Sequence, residues 1–177
     1  MRRNRMAPGR TTARSLYLIA TTVCVLLAGL TVALPRTVAA PAGDEPRCEQ
    51  CDTAMVDKLK VVVTDFAAQK DHLYCNAACA IAAMMDKFPT SRAVAHDPFA
   101  GKEVRIIRTG AKWLAWPTTA VFLYLPQAQT LDPPRRCLAF PRQDEYIQYL
   151  AAHPEVAAFK PRPLRLPELL KKIGERG

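Results

Sequence analysis

Two pairs of cysteines constrain this chain more than any other feature. Cys48 and Cys51 form a CxxC motif, Cys75 and Cys79 stand one helical turn apart, and 23 residues separate the two pairs. A CxxC turn can hold one ion with two thiolates, and a pair at i and i+4 presents both sulfurs on one face of a helix. The spacing therefore predicts that the chain folds back between the pairs and gathers four sulfurs around one soft metal ion.

The stretch between and after the pairs predicts that fold-back. Residues 59–67 are rich in valine and indicate a strand, residues 69–72 are polar, and residues 73–75 are a short return strand. Residues 77–87 are rich in alanine and methionine and end before Pro89, which predicts a helix. We expect a first ββα-type unit organised around the cysteine cluster.

A similar order of elements follows in the second half of the chain. Strands are predicted at residues 113–116, 121–125 and 136–140, and an amphipathic helix at 144–153, with residues 104–108 pairing between the two halves. The predicted fold class is α+β: a small two-part domain built from ββα-type units.

The first 40 residues have the composition of an export segment. An arginine-rich start precedes an uncharged run over residues 15–35. This run exceeds the usual signal core of about 7–15 residues and approaches the roughly 20 that span a bilayer. A cleaved signal and a retained single-pass anchor in the inner membrane both stay open. Either one predicts an extracytoplasmic (periplasmic-side) location for the rest, because the positive flank stays inside.

The remaining boundaries follow from composition. Residues 41–47 are a short polar linker, and residues 48–160 form the predicted metal-binding domain. Residues 161–177 are a proline-rich segment with a short C-terminal helix, predicted at 168–175.

The positive charge does not indicate a nucleic-acid partner. The chain has a formal net charge of +9, but its first 40 residues carry six arginines and no acidic residue, so only +3 remains beyond them. No Ser/His/Asp set, glycine-rich phosphate loop or paired catalytic carboxylates can be recognised. We therefore expect a binding protein and not an enzyme.

Export also makes disulfides the main rival of a metal site, since paired cysteines of secreted proteins usually oxidise. A ββα unit of about forty residues is too small for a large core and gains from a central ion. Met55 follows the first pair, and Met84 and Met85 lie on the predicted helix with Cys79. Thiolate and thioether together favour Cu(I), so Met55 joins the four cysteines as a candidate ligand.

These residues also carry a resemblance to a known family. The CxxC at Cys48, the two strands and the run from Leu73 through Cys75-Asn76 to Cys79 look like a TRASH-type metal-binding motif. The wider stretch, residues 48–152, resembles the NosL family of nitrous-oxide-reductase accessory proteins. The resemblance implies an exported, membrane-tethered Cu(I)-binding protein of metallochaperone type. Its partner would be a copper-enzyme client, such as nitrous oxide reductase, or another copper carrier.

Two other functions stay open. Cys48 and Cys51 could serve an extracytoplasmic thiol-disulfide oxidoreductase, although a redox CxxC normally sits at a helix N-terminus. Four thiolates also suit Zn(II), which would make the site a structural zinc-binding module.

Three further residues complete the candidates. Cys137 could be a fifth soft ligand but is expected to be buried and inert. His72 could reach the metal from the hairpin turn but is expected to be solvated, and His96 is expected in a surface loop.

Overall fold

The structure, a computed structural model, describes residues 45–175. The predicted export segment, residues 1–40, and the first part of the linker lie outside the described residues. Across residues 45–175, no helix is both long and apolar enough to cross a membrane.

Among the described residues, the larger of two antiparallel sheets has five strands in the order β2-β1-β3-β4-β5. The strands are β1 (Val61–Asp65), β2 (Lys70–Tyr74), β3 (Thr90–His96), β4 (Glu103–Thr109) and β5 (Lys112–Trp116). Strands β1 and β2 form the predicted hairpin, which pairs Val61 with Tyr74 and Asp65 with Lys70. Because the hairpin reverses the chain, Cys75 emerges beside the beginning of β1 and close to the first cysteine pair.

Helix α1 (Ala77–Asp86) packs on one face of this sheet. The side chain of Asn76 caps its first turn by accepting from the backbone N–H of Cys79 at 2.9 Å. At the other end, Arg108 donates to the carbonyls of Met84 and Met85, and its guanidinium lies 5.3 Å from the ring centroid of Trp113. Both ends of the helix are therefore tied to neighbouring elements, and this fixes the position of Cys79.

The second part repeats the strand, strand, helix order. It contains β6 (Val121–Tyr124), β7 (Cys137–Phe140), α2 (Gln143–Ala152), α3 (Pro154–Ala157) and α4 (Leu166–Gly174), with a short 3₁₀ helix over Pro133–Arg136. Strands β6 and β7 pair with each other. The units β1-β2-α1 and β6-β7-α2 confirm the predicted α+β fold of ββα-type units.

Two buried clusters hold the domain together. The first lies between α1 and the five-stranded sheet and includes Val63, Ile81, Met84 and Ile106, together with Leu169 of α4. The second lies between the β6–β7 pair and α2, where Phe140 contacts the rings of Tyr146 and Tyr149. Burying a side chain of this size contributes about 1.5–3 kcal/mol to folding. The C-terminal segment also packs into the first cluster through Leu164. The backbone of Leu164 forms two hydrogen bonds with that of Phe122.

Two expectations about strands were wrong. His96 ends a central strand, β3, and does not lie in a loop. The buried face of β3 carries the small residues Ser91, Ala93 and Ala95, which fit beneath α1 but weaken the alternation of large apolar residues that predicts a strand.

The assignment of residues 113–116 to the second unit was also wrong. Strand β4 lies between β3 and β5 within the larger sheet, so residues 113–116 belong to the first sheet and not to the second unit. A tight turn at Gly110, whose φ is +61°, joins β4 to β5 and accounts for this pairing.

Candidate metal centre

The first cysteine pair sits in a closed loop before β1. An isolated bridge joins Arg47 to Ala54, and the backbone N–H of Cys48 donates to the carbonyl of Thr53 at 2.9 Å. Asp52 donates back to the Cys48 carbonyl at 2.9 Å and has a φ of +56°, in the left-handed region. This conformation reverses the chain immediately after Cys51.

Glu49 fastens this loop to the hairpin. Its backbone N–H donates to the Leu73 carbonyl at 3.1 Å, and its Oε1 accepts from the Leu73 N–H at 3.2 Å. The other carboxylate oxygen lies 2.7 Å from Nδ1 of His72. Partial burial raises the pKa of the Glu49 carboxyl, but the His72 and Leu73 hydrogen bonds outweigh it and leave the pKa below its usual value. The loop is therefore held beside β2 by both backbone and side chain.

The second pair straddles the beginning of α1. Cys75 follows the last residue of β2, and Cys79 lies in the first turn of the helix. Asn76 stands between them: besides capping the helix, its Nδ2 donates to Cys75 Sγ at 3.4 Å and to the Pro133 carbonyl at 2.9 Å. N–H donors and a helix N-terminus both stabilise thiolate, so this position suits a metal-binding cysteine.

The four sulfurs converge on one point. All four lie within 4.8 Å of one another. The Sγ of Cys51 is 3.5 Å from that of Cys75 and 3.8 Å from that of Cys79, and Cys75 and Cys79 are 3.8 Å apart. Four thiolates bound tetrahedrally at about 2.3 Å from one ion would be about 3.8 Å from each other. The donor set therefore fits a soft ion such as Zn(II) or Cu(I), and a cluster of four cysteines can bind a metal here.

The thiols of this cluster share hydrogen bonds. Those from Cys75 and then Cys79 lower the pKa of Cys48 despite its burial, and the same contacts with Cys48 raise the pKa values of Cys75 and Cys79. These hydrogen bonds therefore favour ionisation of one thiol, with the negative charge shared within the cluster. A cation that binds must displace the remaining protons, so metal binding is coupled to proton release.

Exposure divides the cluster into two sides. Cys48 and Cys75 are 3% and 0% exposed, whereas Cys51 is exposed and Cys79 is half-buried. An ion at the centre would be reached from solvent along the Cys51–Cys79 edge.

The other sequence candidates lie around this cluster. Met55 is half-buried and packs against the first hydrophobic cluster, which includes Cys48 and Cys75. Cys137 is fully buried in β7, where burial raises its pKa to about 12, and it is not among the four mutually close ligands. His72 does not join them either: it binds Glu49, and its ring centroid lies 4.6 Å from that of Phe88.

Sequence reasoning missed the supporting roles of Asn76 and Glu49. An asparagine before an alanine-rich helix is a recognisable capping signal. Its contact with Pro133 and the contact between Glu49 and His72 join residues far apart in sequence, which no local pattern indicates.

Comparison with known proteins identifies no relative: neither a family model nor a curated protein matches this chain. The resemblance to NosL and TRASH-type proteins therefore stays a prediction, and the function of the site is argued from its geometry.

Proposed function

We propose that this protein is an exported Cu(I)-binding accessory protein, of the NosL type, that supplies copper for assembly of a copper enzyme. The observation that carries the proposal is the unequal exposure of the cluster: two buried sulfurs, Cys48 and Cys75, face two accessible ones, Cys51 and Cys79. A structural site gains from a closed ligand sphere, whereas a carrier has to present part of that sphere to an acceptor.

The donor chemistry supports copper. All four clustered ligand atoms are thiol sulfurs, which select soft ions. Met55 lies on the same loop and packs against the first hydrophobic cluster. As an added ligand, its thioether would increase the preference for Cu(I). The copper is cargo: it would pass to nitrous oxide reductase, to another copper enzyme or to another copper carrier by exchange of sulfur ligands.

The experiment is metal analysis of the full-length protein, purified reduced and without oxygen. We expect about one Cu(I) per chain. In competition with Zn(II), the protein should retain copper. Stoichiometric disulfides within both cysteine pairs of protein recovered from its native compartment would contradict the proposal.

A structural zinc module is the second candidate, because the sulfur separations match the edge of a zinc–thiolate tetrahedron. If the site is a structural zinc site, the protein should retain Zn(II) and not Cu(I) in the competition experiment. A structural zinc site also predicts that chelation unfolds the domain, since structural zinc contributes directly to folding.

The geometry gives less support to a thiol-disulfide oxidoreductase. The thiol whose pKa is lowered, Cys48, is 3% exposed and lies in a loop before a strand. An attacking thiolate has to be accessible and is usually placed at a helix N-terminus. The position at the beginning of α1 belongs instead to Cys75 and Cys79. We propose a carrier and not an enzyme.

Export and membrane attachment are proposed from residues 1–40. A reporter that is active only after export, fused after Gly177, should be active. Membrane association that resists carbonate extraction would select a retained anchor over a cleaved signal. An inactive fusion found only in the cytoplasm would contradict both versions.

A further inference from the structure

We propose that the pocket beside Cys51 and Cys79 binds a small thiol that carries a carboxylate, and that this thiol removes the ion from the cluster. The inference rests on the proposed function and names the acceptor at the same site. Its ligand class follows from the chemistry on the two sides of the pocket.

The pocket lies where the two ββα units meet and has a volume of about 260 Å³. Cys51 and Cys79, the two accessible sulfurs of the cluster, line one side. Arg136 lines the pocket as well, and buried Cys137 is among its walls. Its lining is mainly apolar, and its volume suits a molecule of a few heavy atoms, below the usual size of a drug site of about 300–1,000 Å³.

Arg136 supplies the charge that selects the ligand. Its Nε donates to the Leu131 carbonyl at 2.9 Å and its Nη2 approaches the Gln129 carbonyl at 3.4 Å, which hold the guanidinium in place. Among residues 45–175, no carboxylate lies within ion-pair distance of this group. A guanidinium held this way at a pocket wall favours a ligand carboxylate.

The opposite side of the pocket supplies the exchange chemistry. An incoming thiolate forms a sulfur–copper bond as the bond to Cys51 breaks, and the departing Cys51 sulfur takes up the proton that the thiol released on ionising. Copper stays Cu(I), and no electron is transferred. The released Cys51 thiol has an acceptor in place, because its Sγ lies 3.3 Å from Thr53 Oγ1. Cys51 is the first ligand to leave because it is the exposed one.

The test compares three thiols of similar size and different charge: 3-mercaptopropionate, 2-mercaptoethanol and cysteamine. Each is added at matched thiolate concentration to full-length protein loaded with Cu(I), and copper removal is followed with a colorimetric chelator as the final sink. We expect 3-mercaptopropionate to be about fivefold faster than 2-mercaptoethanol at low salt, as one partly exposed ion pair allows. Cysteamine should be the slowest.

Variants assign the effect to Arg136. Arg136→Gln should bring the ratio of the 3-mercaptopropionate rate to the 2-mercaptoethanol rate close to one. Arg136→Lys should retain most of the wild-type ratio. Arg135→Gln is the matched control, since Arg135 pairs with Glu155 and does not line the pocket. Its ratio should equal that of the wild type.

Two results would overturn the inference: equal rates for the three thiols in the wild type, or the same loss of discrimination in the Arg135 and Arg136 variants. The wild-type comparison alone decides the matter if Arg136→Gln does not fold. Failure of the proposed function looks different, because the protein would then fail to load Cu(I) before any thiol is added.

Discussion

The side-chain amide of Asn76 donates a hydrogen bond to the sulfur of Cys75 at 3.4 Å. The same side chain caps α1 at the backbone of Cys79 and reaches the Pro133 carbonyl in the second half of the domain. One residue thus orients both cysteines of the second pair and ties them to the second ββα unit.

Asn76→Ala should therefore lower both stability and metal affinity. Losing the helix cap costs about 0.5–2 kcal/mol, and losing a group that orients a ligand costs about 10- to 100-fold in affinity. Urea unfolding of the apo-protein and chelator competition measure the two effects.

Asn76→Asp separates these roles. It keeps the capping oxygen but replaces the N–H donor with a second carboxylate oxygen near Cys75. The cap of α1 should persist while metal binding weakens. The variant also loses the bond to the Pro133 carbonyl, so the domain should be less stable than the wild type. Equal metal affinities of Asn76→Asp and wild type would show that the Nδ2–Cys75 hydrogen bond does not contribute to metal binding.

The cysteines should contribute unequally to metal binding. Cys75→Ser, at a fully buried position, should lower affinity by more than about 100-fold, because a serine hydroxyl is protonated at neutral pH and binds soft ions poorly. Cys51→Ser should lower it less, since solvent or a small thiol can reach the exposed position.

Cys137→Ser serves as the control for these variants, because Cys137 lies outside the cluster of four. It should bind about one ion per chain, measured by metal analysis after gel filtration. If the Cys137→Ser variant bound clearly less than one ion per chain, the Cys137 thiol would be identified as a ligand.

Met55→Leu tests the thioether. The change keeps an apolar side chain of similar volume, so packing against the core should change little. Cu(I) affinity should fall modestly while Zn(II) affinity stays the same, because thioether sulfur favours the softer cation. Competition titrations with a chelator for each metal provide the measurement. Unchanged Cu(I) affinity would exclude Met55 from the site.

The contact between Glu49 and His72 predicts a pH dependence of the apo-protein. The pKa of Glu49 is lower in the folded state than its ordinary value of 4.5, so the carboxylate stabilises the fold above that value. This contribution is lost as the pH falls through the lowered pKa. The free-energy difference between wild type and Glu49→Gln, from urea unfolding between about pH 3 and pH 7, should therefore shrink at the acidic end.

Glu45→Gln is the matched control for this series, because Glu45 is exposed and has no ionic or hydrogen-bonding partner among the described residues. The Glu45→Gln series measures the effect of removing a carboxylate that has no such partner. If the difference in unfolding free energy between wild type and Glu49→Gln grew as the pH fell, the stabilising role of the Glu49 carboxylate would be contradicted.

The local pattern of the sequence determined much of the first unit. The valine-rich run and the alanine-rich segment before Pro89 gave β1 and α1 close to their observed bounds. Strand β2 begins three residues before the predicted return strand, so His72, expected in a solvated turn, lies in β2 and is largely buried. The spacing of the cysteines around this hairpin was sufficient to predict that their sulfurs meet, because a hairpin returns the chain to its starting edge. These features depend on neighbours along the chain, which is why they could be predicted.

Only the tertiary structure decided how the sheet is ordered and which side of the cluster faces solvent. Strand β3 is stable because α1 covers its small residues. The pattern of apolar residues along β3 does not indicate that contact. The exposure of Cys51, the burial of Cys137 and the pocket lined by Arg136 arise where the two ββα units pack together. Burial and pairing of this kind depend on residues distant in sequence. The sequence by itself therefore predicted which cysteines come together, and long-range packing decided which of their sulfurs face solvent.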